Sequence, residues 1–163
     1  MHIKVRKGRP EDIPAVYALV KELAEYEKAP EAVTNSVERM KEDGFGPNPC
    51  YSLLVAEVNN IVAGMAVYFV KYSTWKGRGL YLDDIVVSEK YRRKGIGKLL
   101  FDEVIREAAR MDAHTMHWQV LDWNTPAINF YKKYQCTFES EWIDCKLTRE
   151  QILQFNQTEL KTA

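Results

Sequence analysis

The stretch Val87-Ser88-Glu89-Lys90-Tyr91-Arg92-Arg93-Lys94-Gly95-Ile96-Gly97-Lys98 gathers residue types that could hold a phosphate. Gly95 and Gly97 have no side chain to block a close approach, so backbone N–H groups at the positive end of a helix dipole can point at a pyrophosphate. Arg92, Arg93, Lys94 and Lys98 add cationic donors nearby. The same residues also suit a plain glycine helix start beside a solvated basic cluster. Neither G-x-x-x-x-G-K-[ST] nor G-x-G-x-x-G occurs, so an NTPase loop and a dinucleotide fingerprint are both disfavoured. Just upstream, Asp83 and Asp84 interrupt an apolar run. Adjacent strand residues point to opposite faces, so the two carboxylates cannot both look outward without a bulge, and at least one is expected to face a cleft. His114 and His117 fall on opposite faces of a strand and no Cys or carboxylate set completes a site, so no metal is expected. No Ser, Cys or His lies in a nucleophile motif.

The elements that must position these groups follow from periodicity. Alternation predicts a first strand at about 2–7, and Ile13, Val16, Leu19, Val20 and Leu23 at helical spacing predict an amphipathic helix. Asn35-Ser36-Val37-Glu38 fits an N-cap with a carboxylate three residues on, and Gly44 supplies the stop of a short second helix. Tyr51 to Val58 and Ile61 to Val70, joined through Asn59-Asn60, predict a hairpin. After a turn from Ser73 to Gly79, the acidic strand runs from Leu80 to Val87. Ile96, Leu99, Leu100, Val104, Ile105, Ala108 and Met111 form the stripe of a long helix. A strand at about His114 to Leu121 leads to Asn124-Thr125-Pro126, an N-cap and early proline opening a helix through Tyr134. Strands at Phe138 to Ile143 and Asp144 to Leu147 follow, and Thr148-x-x-Gln151 has the form of a capping box. The expected layout is β-α-α-β-β-β-α-β-α-β-β-α, a mixed α/β fold in one domain over 1–163.

Composition narrows the partners. The 163 residues, 46% hydrophobic, supply material for one core, and no repeat or linker divides them. Twenty-three basic residues balance 23 acidic ones, so no global field favours nucleic acid or an anionic membrane. No apolar run has the length of a membrane span or signal core. Cys50, Cys136 and Cys145 are an odd count without a C-x-x-C pair, which points to a reducing cytoplasm rather than a disulfide framework.

Arg92-x-x-Gly95-x-Gly97 after a strand resembles motif A of the GCN5-related N-acetyltransferases. Lys21-Glu22-Leu23-Ala24, Tyr26-Glu27, Asp43-Gly44-Phe45-Gly46, Leu54-Val55-Ala56-Glu57, Tyr72 to Arg78, Tyr81 to Ile85 and Val120 to Asn124 resemble the spermidine/spermine acetyltransferase branch. The resemblance covers almost the whole chain. It implies a mostly antiparallel sheet with a splayed parallel strand pair, flanked by helices, and acetyl-CoA as acyl donor. It also implies direct transfer to the primary amine of a small molecule in a ternary complex, and a homodimer. By that resemblance Ile85, Val86 and Val87 contact the acetyl and pantetheine part, and Arg92 through Lys98, Ile96 included, cradle the pyrophosphate. Asn124 anchors the arm from the other side, beside its reading as a helix N-cap. Tyr131 matches the tyrosine that protonates the departing thiolate and also contacts the donor. Asp83 stands where the branch has a glutamate base, and Asp84 matches an adjacent acid that binds the cationic acceptor or satisfies backbone groups at a bulge. Tyr26, Glu27 and Trp75 match the acceptor side.

Two positions depart from the branch. Ser73 replaces an acidic residue of polyamine-type members, and Tyr72-Ser73-Thr74-Trp75-Lys76-Gly77-Arg78 looks instead like the thialysine acetyltransferase subgroup. Gln135 stands where the family commonly has glycine, so the Tyr131 helix must end differently. The expected acceptor is a thialysine- or lysine-like amine, a diamine or a polyamine. A protein lysine or N-terminus, and a non-catalytic CoA-binding role, are the alternatives.

Overall fold

Alternation makes Ile3–Lys7 a strand, β1, and the 3.6-residue stripe of Ile13, Val16 and Leu19 makes Ile13–Tyr26 a helix, α1. An ion cluster fixes the angle between them. Arg6 donates through both terminal nitrogens to Asp12 at 2.7 and 2.8 Å and through Nε to Glu57 at 2.9 Å. Asp12, itself buried, also accepts from the Arg9 backbone at 2.8 Å. The Arg6 hydrogen bond holds the Asp12 carboxyl below the usual carboxylate range.

The computed structural model describes residues 2–159, with 156–159 described by backbone alone. Two compact units divide at Gln119 and Val120. In the first, β1 is followed by α1, α2 (Val37–Phe45), β2 (Ser52–Val58), β3 (Ile61–Ser73), β4 (Gly77–Val87), α3 (Ile96–Arg110) and β5 (Met116–His117). The strands form one sheet in the order β1-β2-β3-β4-β5, antiparallel except for the parallel β4/β5 pair. The mixed α/β layout expected from the sequence is therefore present. One sheet face carries Leu53, Val55, Met65 and Val86 against Ile13, Val16 and Leu19 of α1 and Met40 of α2. The opposite face buries Leu54, Leu80 and Leu82, and α3 buries Ile96, Leu100, Phe101 and Val104. Phe101 meets Trp118 edge to face, with centroids 5.2 Å apart.

Several boundaries move. The cap of α2 is Ser36, whose hydroxyl accepts from the Arg39 N–H at 3.1 Å, not Asn35. Gly44 is not the stop; it lies inside α2, which ends at Phe45 with Gly46 as its C-cap, and a Cβ at Gly44 would meet the Tyr51 ring at 2.5 Å. The turn placed at 73–79 shrinks to 74–76, since β3 and β4 keep pairing out to Ser73 and Gly77. Asn59 and Asn60 do make the β2/β3 turn, both with positive φ. The strand expected from His114 to Leu121 contracts to Met116–His117, because β5 pairs with β4 only at Leu80 and Tyr81.

In the second unit Asn124 caps α4 (Thr125–Lys132), its side chain accepting from the Ala127 N–H at 3.4 Å. Thr148 and Gln151 form the reciprocal capping box of α5 (Arg149–Glu159), at 2.8 and 3.3 Å. The strands expected at 138–143 and 144–147 are absent; this segment is irregular. Alternation specifies two faces but not a pairing partner, and a strand without one gains no ladder hydrogen bonds.

The different helix ending expected from Gln135 does not occur: three residues beyond α4 Gln135 has φ +55°, the left-handed conformation that glycine usually supplies. Gln135→Gly is expected to stabilise the protein by about 0.5–1 kcal/mol, the relief of the left-handed conformation exceeding the greater unfolded-state entropy of glycine. Urea unfolding checks this; an unchanged or lower midpoint contradicts it.

Candidate functional site

The register between β3 and β4 determines where the two aspartates go. Val67 pairs with Asp84 and Tyr68 with Leu82, leaving Asp83 as an extra residue, a bulge. In an unbroken strand Asp84 would share a face with Leu82, which is buried on the α3 side. The bulge reverses the alternation, so Asp84 lies with Val67 and Val86 on the α1 face and both carboxylates line one cavity. The sequence required either a bulge or a cleft for this pair, and the structure has both.

That cavity, of about 400 Å³, is lined by Val20 of α1, Met40 and Asp43 of α2, Val67 and Phe69 of β3, and Asp83 and Asp84 of β4, together with Asn35, Cys50 and Tyr51. Burial, reinforced by the charges of Asp83 and Glu27, pushes the Asp84 carboxyl up to about 6. Desolvation raises Asp83 and Glu27 as well, although both side chains reach solvent. Three carboxyl groups thus converge where two would already resist full ionisation, an environment that attracts a cation and accepts its proton near neutral pH. The Tyr51 hydroxyl, donating to the Met40 carbonyl at 2.6 Å, is pushed up to about 12 by burial and Asp43, so it stays protonated.

Tyr26, Glu27 and Trp75 are not among the lining residues. Glu27 reaches the site by its charge on Asp84. The Tyr26 ring lies 5.1 Å beneath the Arg92 guanidinium. Trp75 stands at the tip of the β3/β4 hairpin, 87% exposed, where Ser73 organises the turn by accepting from the Trp75 and Lys76 N–H groups at 3.2 and 3.3 Å. Sequence reasoning missed Asn35 and Asp43 as cavity residues. The signal for Asp43 is its spacing of three from buried Met40, which places both on one helix face.

The second part of the site starts where β4 ends. Because β5 pairs with β4 only at Leu80 and Tyr81, the β5-side edge of β4 from Leu82 to Val87, Ile85 and Val86 included, makes no strand pairing among the described residues. The parallel pair therefore opens, exposing backbone groups able to pair with an extended ligand. Beyond a 3-10 turn at Glu89–Tyr91 the chain passes Arg93 at φ +58° and Gly95 at φ +79°. A Cβ on Gly95 would meet nothing within 4 Å, so glycine there serves the backbone conformation and leaves open space. Ile96, Gly97 and Lys98 form the first turn of α3, whose N–H groups have no intrahelical acceptor, and the N-cap offers no side chain. The two left-handed residues Arg93 and Gly95 turn the backbone just ahead of a helix start, where free N–H groups and the helix dipole favour an anion. Around it, Lys94 Nζ donates to the Lys90 carbonyl at 3.1 Å and Lys98 Nζ to Asp102 at 2.5 Å. Arg92 turns toward α1, with Nε on the Val87 carbonyl at 3.1 Å.

In the second unit, Tyr131 is buried to 6% exposure on α4, its ring edge-on to Phe130 at 5.3 Å, and its carbonyl accepts from the Cys136 thiol. Among the described residues no group of three or more His, Cys, Asp or Glu is placed to hold a metal ion, and no helix is long and apolar enough to cross a membrane.

Comparison with known proteins identifies what this geometry resembles. Residues 14–135 match the family model described as Acetyltransferase (GNAT) family. The thialysine N-epsilon-acetyltransferase of Mus musculus is 38% identical over 137 residues, covering 79% of this chain and 81% of that protein. A spermidine/spermine N(1)-acetyltransferase-like protein of Homo sapiens is 31% identical over 162 residues, covering 93% of this chain and 23% of that protein. Among solved structures, an integron cassette protein from the mobile metagenome of V. cholerae superposes with a TM-score of 0.78 at 18% identity, over 96% of this chain and 99% of that one. That last likeness speaks for the fold alone.

The raised Asp84 carboxyl gives a stability prediction. Its folded value of about 6 lies above the 3.8 of the free side chain, so the folded chain binds the proton more tightly. The contribution of Asp84 to stability is therefore greatest below about pH 4 and is lost as pH rises through 6. Asp84→Asn removes the cost of burying charge and is expected to raise stability at pH 7.5 by about 1–2 kcal/mol, after discounting for partial solvent access, with little gain at pH 4. Thermal unfolding at the two pH values checks this; equal shifts at both would show that the carboxyl is not raised.

Proposed function

This chain belongs to the GNAT acetyltransferase family, enzymes that take their acetyl group from acetyl-CoA, and we propose that its acceptor is the primary amine of a small cationic molecule. The observation that carries this is the β4 bulge, which brings Asp83 and Asp84 into one cavity with Asp43. A thialysine- or lysine-like amine fits this reading first, a diamine or polyamine second. The similarity to a thialysine enzyme supports the first, as does Ser73 serving the hairpin turn rather than supplying an acid.

The first unit supports a CoA-type donor on three counts: the opened edge of β4, the space over Gly95 and the uncapped N–H groups of α3. Ile85, Val86 and Val87 would meet the acetyl and pantetheine part. Arg93, Lys94, Gly95, Ile96, Gly97 and Lys98 would hold the pyrophosphate, with Arg92 supporting them, and Asn124 and Tyr131 would complete the donor contacts. The donor supplies an acetyl thioester, already activated for attack by a neutral amine. An ammonium has no lone pair, so Asp83, directly or through water, takes its proton, while Asp84, Glu27, Tyr26 and Trp75 favour the cation. As the N–C bond forms and the C–S bond breaks, Tyr131 gives its phenolic proton to the leaving sulfur, which becomes basic only then. The amine proton left on nitrogen goes to solvent. No covalent enzyme intermediate is needed, and transfer is direct within a ternary complex.

The whole chain, 1–163, works on this reading as one acetyltransferase domain, in the cytoplasm and as a homodimer, without nucleic acid or membrane as partner. The unpaired thiols of Cys50, Cys136 and Cys145 support a reducing compartment.

The test is CoA release from acetyl-CoA across thialysine, lysine, putrescine, spermidine, spermine and a lysine peptide. Turnover of one small amine is expected, with Tyr131→Phe lowering kcat about 10²–10⁴-fold and CoA affinity far less. Turnover of the peptide alone would move the acceptor to protein, and CoA binding without any turnover would leave a non-catalytic module.

A further inference from the structure

The least expected contact of the donor loop comes from α1. Glu22 Oε1 accepts the Glu89 backbone N–H at 2.5 Å, across 67 residues. That N–H opens the 3-10 turn Glu89–Tyr91, whose own N-cap, Ser88, makes no side-chain cap hydrogen bond. The Glu22 carboxylate therefore caps the turn from another element. At the far end of the same turn, Arg92 donates Nε to the Val87 carbonyl at 3.1 Å, stacks on Tyr26 at 5.1 Å and lies 3.7 Å from Glu22. Both ends of residues 88–92 are thus pinned to the last turns of α1, and the next residues are the left-handed Arg93 and Gly95 that shape the anion site.

The magnitudes indicate what the contact is for. An ion pair at 3.7 Å between side chains about one third exposed is weak and screened by solvent, too little to explain a carboxylate set beside a loop that must attract an anion. A charge-assisted cap on a backbone N–H is stronger and directional, and it fixes where the following N–H groups point.

We infer that Glu22 is a positioning residue for the donor: by capping the Glu89 N–H and holding Arg92 against Tyr26, it sets the geometry of the Arg93–Lys98 pyrophosphate cradle. Arg92 is on this account the pin of the cradle rather than one of its phosphate donors. The C-cap of α1 is Glu27, whose charge reaches Asp84, so one helix and its cap support the donor loop and the acceptor carboxylates together. The inference rests on the acetyl-CoA reading above.

Electrostatics and positioning predict opposite signs, which makes the test decisive. Deleting a negative charge beside an anion site should tighten CoA if Glu22 acts only through its charge. Loss of the cap should weaken it. Calorimetric titration of CoA into the full chain is expected to show Glu22→Ala binding about tenfold more weakly. Glu22→Gln, whose amide oxygen still accepts from Glu89, is expected to recover most of that loss. In steady state Glu22→Ala should raise KM for acetyl-CoA with kcat within about twofold, and hydrogen exchange should quicken at the Glu89 amide but not along α3. Unchanged or tighter CoA binding by a folded Glu22→Ala, or equal loss in Glu22→Ala and Glu22→Gln, overturns the inference while leaving the donor reading standing. Failure of the wild-type chain to bind CoA would remove the donor reading and this inference with it.

Discussion

The β4 strand must carry two adjacent carboxylates through a sheet covered by helices on both faces, and the bulge at Asp83 is how it does so. Regular alternation would send one of the pair into the core under α3, among Leu80, Leu82 and Phe101, where an unpaired carboxylate costs several kcal/mol or loses its charge. One extra residue reverses the alternation and delivers both to the cavity under α1 and α2. The acidic cavity wall and the raised Asp84 carboxyl follow from that local irregularity. Bulges recur beside functional sites because they re-aim a side chain without dismantling the ladder.

A second constraint acts at the other edge of β4. The strand is eleven residues long, but β5 pairs with it at only Leu80 and Tyr81. The rest of that edge keeps its backbone groups, while α3 departs from the strand's end with an uncapped first turn. Unpaired strand edges invite pairing by other chains; here the edge opens next to a helix start, and both features suit an extended ligand ending in an anion. Net charge is balanced over the chain, yet Arg93, Lys94 and Lys98 stand at the loop while Asp43, Asp83 and Asp84 line the cavity. The separation matches an anionic donor meeting a cationic acceptor.

α1 links the two. Its N-cap is locked to β1 and β2 through Asp12, Arg6 and Glu57, its middle buries Val16 and Leu19 on the sheet, and its last turns carry Glu22 and Tyr26, with Glu27 as the C-cap. The partly buried, bidentate Arg6–Asp12 pair is a more rigid anchor than the exposed ion pairs of α3. A helix fixed so firmly at its start can hold a loop at its end.

Much of this was legible in the residues themselves. The α1 and α3 stripes, the Asn59-Asn60 turn, the Asn124 cap and the Thr148–Gln151 box are local statements, written in spacing and in side chains that bond their own backbone, and they need no knowledge of the rest of the chain. The glycines at 95 and 97 and the clash of Asp83 with Asp84 likewise announced a loop and an irregular strand. What the sequence left open were the properties that depend on a partner far away. Whether Phe138 to Leu147 forms strands depends on finding an edge, and alternation cannot supply one. The length of β5 was set by how far β4 accepts it, and Gly44 proved to be packing space for Tyr51 rather than a helix stop. Sequence by itself determined which chemical groups are present and which turns and helices they ride on. Only the tertiary structure decided that Glu22 would cap Glu89, that Asp43 would share a cavity with Asp83 and Asp84, and how far the Asp84 proton would be held, because desolvation and long-range hydrogen bonds are properties of the packed chain and not of its local spacing.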